Sequence, residues 1–180
     1  MLSPSSLNKL YEASPPWFFI DAWQENEKWL SDYLYGREGV DSVVRNLRGK
    51  KMISYEGLMN EFGAALQFFE GFGENWNALS ECLFYLDEWL PAEAYLLVIS
   101  RPLDVLADEP MEDLATFLRI LNRAGNWWAT PIEDNGRFNR PALPFHTILQ
   151  CQPEEVDAVR ERYGELPLLR HKVSGEAHRT

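Results

Sequence analysis

Residues 69–89 read FEGFGENWNALSECLFYLDEW, and they predict a loop that runs directly into a helix. Gly71 and Gly73 mark the loop. Asn75 stands at the junction, where a short polar side chain can accept a hydrogen bond from the free N–H groups of a helix. The apolar residues beyond it recur at helical spacing and predict one buried face, formed by Leu79, Cys82, Leu83, Leu86 and Leu90.

The opposite side of this predicted helix is polar and acidic. It carries Asn77, Ser80, Glu81, Asp87 and Glu88. Residues 69–89 contain no Lys, Arg or His. From composition alone, an ordinary solvated helix face explains the pattern, because Asp and Glu are mostly exposed in proteins. A face of this charge also suits a basic partner, so the pattern alone leaves both interpretations open.

The order of residues 72–82, FGENWNALSEC, resembles the barstar family, the intracellular inhibitors of barnase-type ribonucleases. Members of that family carry a Y/F-G-E-N-(apolar)-D/N-A-L core, with an acid and often a cysteine directly after it. Glu81 and Cys82 stand in those two following places. The resemblance in element order spans residues 42–151, and this core is its specific part.

The whole chain has 180 residues and a formal net charge of −11, which suits one acidic domain with extensions. The charge argues against nucleic acid and anionic membranes as partners and favours a basic protein. Residues 1–16 lack a signal-peptide pattern, and no apolar run is long enough to span a bilayer. We therefore expect a cytoplasmic protein, with Cys82 and Cys151 reduced.

The periodicity along the chain predicts an α/β fold. Strands are predicted at residues 42–47, 94–100 and 145–151, and helices at 55–68, 75–90, 111–128 and 154–163. This order predicts right-handed crossovers and a small three-stranded parallel sheet with helices packed against it. The unbroken apolar run at 94–100 predicts the central strand. The resemblance to the barstar family implies the same fold.

Three regions are expected along the chain. Residues 1–41 form an N-terminal arm and extension that packs on the core, with a short edge strand at 17–20 and a helix at 25–35. Residues 42–151 form the barstar-like domain. Residues 152–180 form a C-terminal helix and a polar tail.

The residues that usually carry catalysis form no recognisable arrangement. His146 lies in a predicted strand, where we expect it to be packed, and His171 and His178 lie in the tail. No cluster has zinc-site spacing, and the acids around Gly71 would repel a phosphate. We therefore expect no enzyme activity, no cofactor and no metal. Of the adjacent Trp127 and Trp128, we expect one in the core and the other in a groove or under the N-terminal extension.

The resemblance implies a site at which acids meet the cations that hold RNA phosphate in a ribonuclease. It implies that five residues contact the partner, namely Gly71, Glu74, Asn77, Ser80 and Glu81. Glu81 takes the place of the family's key helix acid. Asn77 replaces a second acid, Ser80 a large aromatic residue and Gly71 a loop tyrosine, and Arg123 is loosely aligned with another acid.

The positions that match the family look architectural instead, and they include Gly73, Asn75, Leu79 and Cys82. We expect Gly73 to need a backbone conformation that other residues avoid. Two functions follow from the resemblance. The first is an immunity or antitoxin protein that binds and inhibits a basic ribonuclease or related toxin. The second is a barstar-fold module that binds another protein.

Overall fold

The computed structural model describes residues 7–22, 29–35, 41–134 and 139–169. The helices and strands follow one another as β1 (Phe18–Ala22), α1 (Trp29–Tyr35), β2 (Ser42–Arg48), α2 (Tyr55–Leu66), α3 (Trp76–Phe84), β3 (Ala94–Ser100), α4 (Met111–Ala129), β4 (Phe145–Cys151) and α5 (Val156–Tyr163). The predicted order is therefore confirmed. The described part of the first helix begins at Trp29, and residues 25–28 of the prediction lie outside the described residues.

A parallel sheet with the strand order β1-β4-β3-β2 lies at the centre of the fold. Its β2, β3 and β4 are the three predicted strands. The sheet has one strand more than predicted, because β1 pairs with β4 from Phe18 opposite Thr147 to Ala22 opposite Cys151. The prediction for residues 94–100 is confirmed: β3 is an inner strand whose first six residues are buried.

One face of the sheet is covered by α2, α3 and α4, whose apolar faces form the larger core. Representative members are Leu58 and Phe62 of α2, Leu79 and Leu83 of α3, and Leu114, Phe117, Leu121 and Trp128 of α4. They pack on the side chains of Leu47, Tyr95, Leu97, Ile99, Phe145 and Leu149 from the sheet. The helix that carries the motif is thus fixed against the sheet and against α4.

Segments that precede β2 cover the opposite face of the sheet. Val44, Leu96, Val98 and Ile148 point to this side. They form a second buried cluster with Leu7, Leu10, Leu30 and Leu34 from the N-terminal extension. The outer edge of β1 is closed by the C-terminal segment, since the Ile20 N–H donates to the Pro167 carbonyl at 2.9 Å and the Leu169 N–H donates to the Ile20 carbonyl at 2.8 Å.

His146 lies on this second face and is fully buried, so the prediction of a packed histidine is confirmed. Its ring lies 5.6 Å from the Trp17 ring and 5.5 Å from the Phe19 ring. Its Nδ1 lies 3.1 Å from the Pro16 carbonyl oxygen and its Nε2 2.9 Å from that of Glu12. His171 and His178 lie outside the described residues.

The motif helix is shorter than its periodicity predicts. It ends at Phe84 and is followed by a 3₁₀ turn at Leu86–Glu88, although Leu86 and Leu90 are both buried as expected. Indole N–H groups from α4 stabilise the early end, since Trp127 donates to the Phe84 carbonyl at 2.9 Å and Trp128 to the Leu83 carbonyl at 2.8 Å. Carbonyls that a longer helix would satisfy are therefore satisfied from outside.

Candidate functional site

Asn75 joins the glycine loop to α3, as its position at the junction predicts. Its Oδ1 accepts a hydrogen bond from the Ala78 N–H at 3.0 Å, which caps the helix. Its Nδ2 donates to the Gly73 carbonyl at 2.9 Å. One amide side chain therefore fixes the shape of the loop relative to the first turn of α3.

The backbone strain predicted at Gly73 lies one residue later. Glu74 has a φ of 47°, in the left-handed region, whereas Gly164 is the positive-φ glycine among the described residues. The prediction for Gly73 is therefore wrong about the backbone angle. The constraint at Gly73 is steric, because a Cβ there would lie 2.9 Å from the Asn75 Nδ2 that holds the loop.

The inward side of α3 belongs to the core. Leu79 and Leu83 have no exposed area, and Cys82 is 5% exposed. Burial, aided by the neighbouring Glu81 charge, raises the pKa of the Cys82 thiol to about 11. Cys82 is therefore a protonated, unreactive thiol at neutral pH, and this side of the helix serves packing.

Arg140 supports the end of α4 that caps α3. Its guanidinium donates to the carbonyl oxygens of Trp127 and Trp128, both at 3.0 Å, and lies 4.4 Å from the Trp128 ring centroid. Burial lowers the pKa of Arg140, against the opposing effect of Asp87. The prediction for the tryptophan pair is confirmed, since Trp128 is fully buried and Trp127 stacks on Phe84 and lines a groove.

On one side of α3 lies a groove of about 680 Å³, here called the acidic groove. Its walls are Phe69, Gly71, Phe72, Gly73, Ala78, Glu81, Cys82, Tyr85, Glu88 and Trp89. Phe69 is 60% exposed and Tyr85 is 44% exposed, and both belong to the four large hydrophobic residues that are exposed in the described part of the chain. The groove thus combines open aromatic surface with two carboxylates.

On the other side of α3, against α4, lies a second groove of about 610 Å³, here called the arginine groove. Its walls are Trp76, Asn77, Ser80, Glu81, Phe84, Tyr85, Thr116, Arg119, Ile120 and Arg123. The Arg119 guanidinium donates to the Thr116 hydroxyl at 3.1 Å, and the Arg123 guanidinium lies 5.7 Å from the Phe84 ring centroid. Both arginines are exposed.

The site residues implied by the resemblance divide between these grooves. Gly71 lines the acidic groove, Asn77 and Ser80 line the arginine groove, and Glu81 lines both. Glu74 is exposed but lines neither groove, and its carbonyl accepts a hydrogen bond from the Tyr55 hydroxyl at 3.3 Å. Glu81 is therefore the residue that joins the two parts of the surface.

Sequence reasoning missed the aromatic walls and one arginine. Phe69 follows Phe68, which packs on the core, whereas Phe69 itself is exposed. Helical spacing would place Phe69 on the buried side of α2, but α2 ends at Leu66, so the periodicity gave no signal for an exposed aromatic wall. Arg119 stands four residues before Arg123, a spacing that places both on one side of α4.

Within the described residues, no group of three His, Cys, Asp or Glu side chains is placed to hold a metal ion. None of the helices in the described ranges is long and apolar enough to cross a bilayer.

Comparison with known proteins identifies one family. The family model described as "Barstar (barnase inhibitor)" matches residues 42–149, which is more than half of the chain. No curated protein matches the sequence significantly. The matched region begins at the first residue of β2 and ends within β4, so it contains both grooves, whereas β1 and α5 lie outside it.

Proposed function

The chain belongs to the barstar family, and from this premise we propose that it binds and inhibits a basic ribonuclease or a related toxin, as an immunity or antitoxin protein does. The description of the family model names an inhibitor of a ribonuclease. The contact surface in this proposal is the outward side of α3 with its two grooves.

The acidic groove is the observation that carries the proposal. Glu81 and Glu88 stand beside the exposed rings of Phe69 and Tyr85, within a chain whose formal net charge is −11. A ribonuclease must hold phosphates, so its cleft presents Lys, Arg or His side chains. The charged end of such a side chain suits the carboxylates, and its apolar stem suits the aromatic rings.

Glu81 is the centre of the proposed contact. It is exposed and lines both grooves. The sequence resemblance places it where the family has its key acid. A partner's cleft that closed over α3 would remove water from Glu81 and from the cations that it meets. Removing one member of such a desolvated pair typically costs about 2–5 kcal/mol of binding, a range for which barnase–barstar is itself a reference case.

Inhibition assays against a panel of purified small basic ribonucleases and toxin nucleases, barnase included, test the proposal. We expect one panel member to be inhibited, and Glu81→Gln to weaken its binding by roughly 30-fold or more. The matched control is Glu88→Gln, which removes the same charge from the turn after α3. We expect this control to change mainly the association rate and its salt dependence.

Absence of inhibition across the panel, or equal small losses for the two variants, would contradict the proposal. Binding without inhibition would instead favour the second candidate, a module that binds another protein. Two of the proposed contact residues favour this second candidate. Asn77 carries no charge, and the short Ser80 side chain offers little contact area. The assay separates the two functions because it measures enzyme activity as well as affinity.

A further inference from the structure

Arg119 and Arg123 place two positive charges on the binding surface of an acidic protein. They stand on one side of α4 and line the arginine groove beside Asn77, Ser80 and Glu81. Neither forms an ion pair with any residue in the described ranges. Their described contacts are a hydrogen bond from Arg119 to the Thr116 hydroxyl and the approach of Arg123 to the Phe84 ring, and neither contact neutralises the charge. Like charges at this spacing repel each other on a helix.

A cleft that carries only cations would dock poorly on such a surface. As it closed over α3, the part that met Glu81 and Glu88 would be attracted, and the part that met Arg119 and Arg123 would be repelled. Charge repulsion at a docking face is a common way to exclude wrong partners. An arginine pair at a docking face would therefore disfavour a partner whose cleft carries only cations.

We propose that the natural partner carries a carboxylate beside its cationic groups, and that this carboxylate docks in the arginine groove against Arg119 and Arg123. The inference rests on the proposed function and adds a charge pattern to it. The short Asn77 and Ser80 side chains leave the groove open at about 610 Å³, which gives room for an Asp or Glu side chain. Arginine suits this role, because its guanidinium pairs with both oxygens of a carboxylate.

Barnase is a suitable probe, because the family model is described as a barnase inhibitor and a ribonuclease must attract RNA phosphates. The test variant is Arg119→Glu with Arg123→Glu. The matched control is Lys9→Glu with Lys50→Glu, which changes the net charge equally at two exposed positions outside both grooves. We expect the test variant to bind barnase at least 10-fold more tightly than the control does.

The reciprocal change tests the carboxylate directly. The experiment uses a set of barnase variants, in each of which one arginine or lysine of the cleft is replaced by glutamate. We expect one of them to bind the unchanged chain more tightly than barnase itself does, and to lose that gain with Arg119→Glu and Arg123→Glu. The neutral pair Arg119→Gln and Arg123→Gln should bind barnase with an affinity between those of the unchanged chain and the glutamate variant. This pair provides a second measurement in case the glutamate variant fails to fold.

Equal affinities for test and control variants, or no tighter binding by any barnase variant, would overturn the inference. Adding Glu81→Gln to the test variant distinguishes this failure from failure of the proposed function. If the gain from the arginine changes disappears with Glu81→Gln, both proposals are supported. If the gain persists, the arginine groove discriminates as inferred, but Glu81 is not the centre of the contact.

Discussion

The inward and outward sides of α3 differ in what holds them and in what they can do. On the inward side, Leu79 and Leu83 are fully buried between the sheet and the neighbouring helices. On the outward side, Glu81 separates two grooves that carry opposite charges. The inward residues match the motif of the family, whereas most outward residues depart from it. The motif thus identifies the architecture, and we propose that the departures determine which partner fits.

The inward side should show the largest effect on stability. Leu79→Ala removes a fully buried side chain, and the cavity that it leaves should lower the free energy of unfolding by about 2–5 kcal/mol. Chemical denaturation measures this change. The matched outward variant is Asn77→Ala at an exposed position, which we expect to alter the free energy by less than about 0.5 kcal/mol. Similar losses in the two variants would remove the distinction between the sides.

Arg140 should show the next largest effect, because it holds the end of α4 that caps α3. Arg140→Met leaves the carbonyl oxygens of Trp127 and Trp128 without this donor, which should cost about 1–3 kcal/mol. Urea denaturation measures it, with Arg101→Met as the control. Arg101 is exposed, and within the described residues its one ion pair is with the nearby Asp104, so its loss should cost less than about 1 kcal/mol. A smaller loss for Arg140 than for Arg101 would refute the supporting role.

Asn75 lies between the inward and outward sides of α3. Two substitutions distinguish the contributions of its two hydrogen bonds. Asn75→Ala removes both and should lower the free energy of unfolding by about 1 kcal/mol. Asn75→Asp keeps the helix cap but loses the bond to the Gly73 carbonyl. We expect Asn75→Asp to retain most of the stability and to weaken partner binding, because the loop that forms the acidic groove is released. Equal stability of the Ala variant and the unchanged chain would contradict the cap.

His146 lies on the opposite face of the sheet. Its protonation should have the smallest of these effects on stability. Burial lowers its pKa, although its contacts with the Glu12 and Pro16 carbonyls oppose the shift. The unfolded chain therefore takes up a proton near pH 6.5 more readily than the folded chain does. The stabilisation that the folded chain gains from keeping His146 neutral is therefore fully present above about pH 6.5. It decreases as the pH falls below that value.

Thermal unfolding between pH 7.5 and 5.5 measures this dependence, with His146→Gln as the comparison. We expect part of the loss of stability on acidification to disappear in the variant, although the variant is less stable at every pH. Since His146 lies on the face away from α3, the variant should leave partner affinity unchanged at neutral pH. An identical pH dependence in both proteins would show that His146 does not contribute.

The sequence predicted the parts of the fold that depend on local pattern. The central strand 94–100 and the cap at Asn75 follow from an unbroken apolar run and from one polar residue before a periodic segment. The fourth strand was not counted in the sheet, because the partner of Phe18–Ala22 lies more than a hundred residues along the chain. The early end of α3 was missed for the same reason, since its carbonyls are satisfied by Trp127 and Trp128.

The candidate site was only partly predictable. Glu81 could be selected because the motif fixes its position on the helix. The neighbours of Glu81 could not, because Arg119 comes from a different helix and an isolated arginine looks like any solvated residue. Tyr85 follows the last residue of α3, at a position where helical periodicity no longer predicts which way a side chain points. Tertiary packing alone brings these residues together.

Calorimetric titration of the inhibited panel ribonuclease with the unchanged chain and with Glu81→Gln, beside thermal unfolding of both proteins, tests the central claim most directly. The claim is that the outward side of α3 determines binding independently of the inward packing. We expect Glu81→Gln to bind roughly 30-fold or more weakly, with an unchanged unfolding temperature. Equal affinities, or a weaker affinity accompanied by a matching loss of stability, would contradict the account.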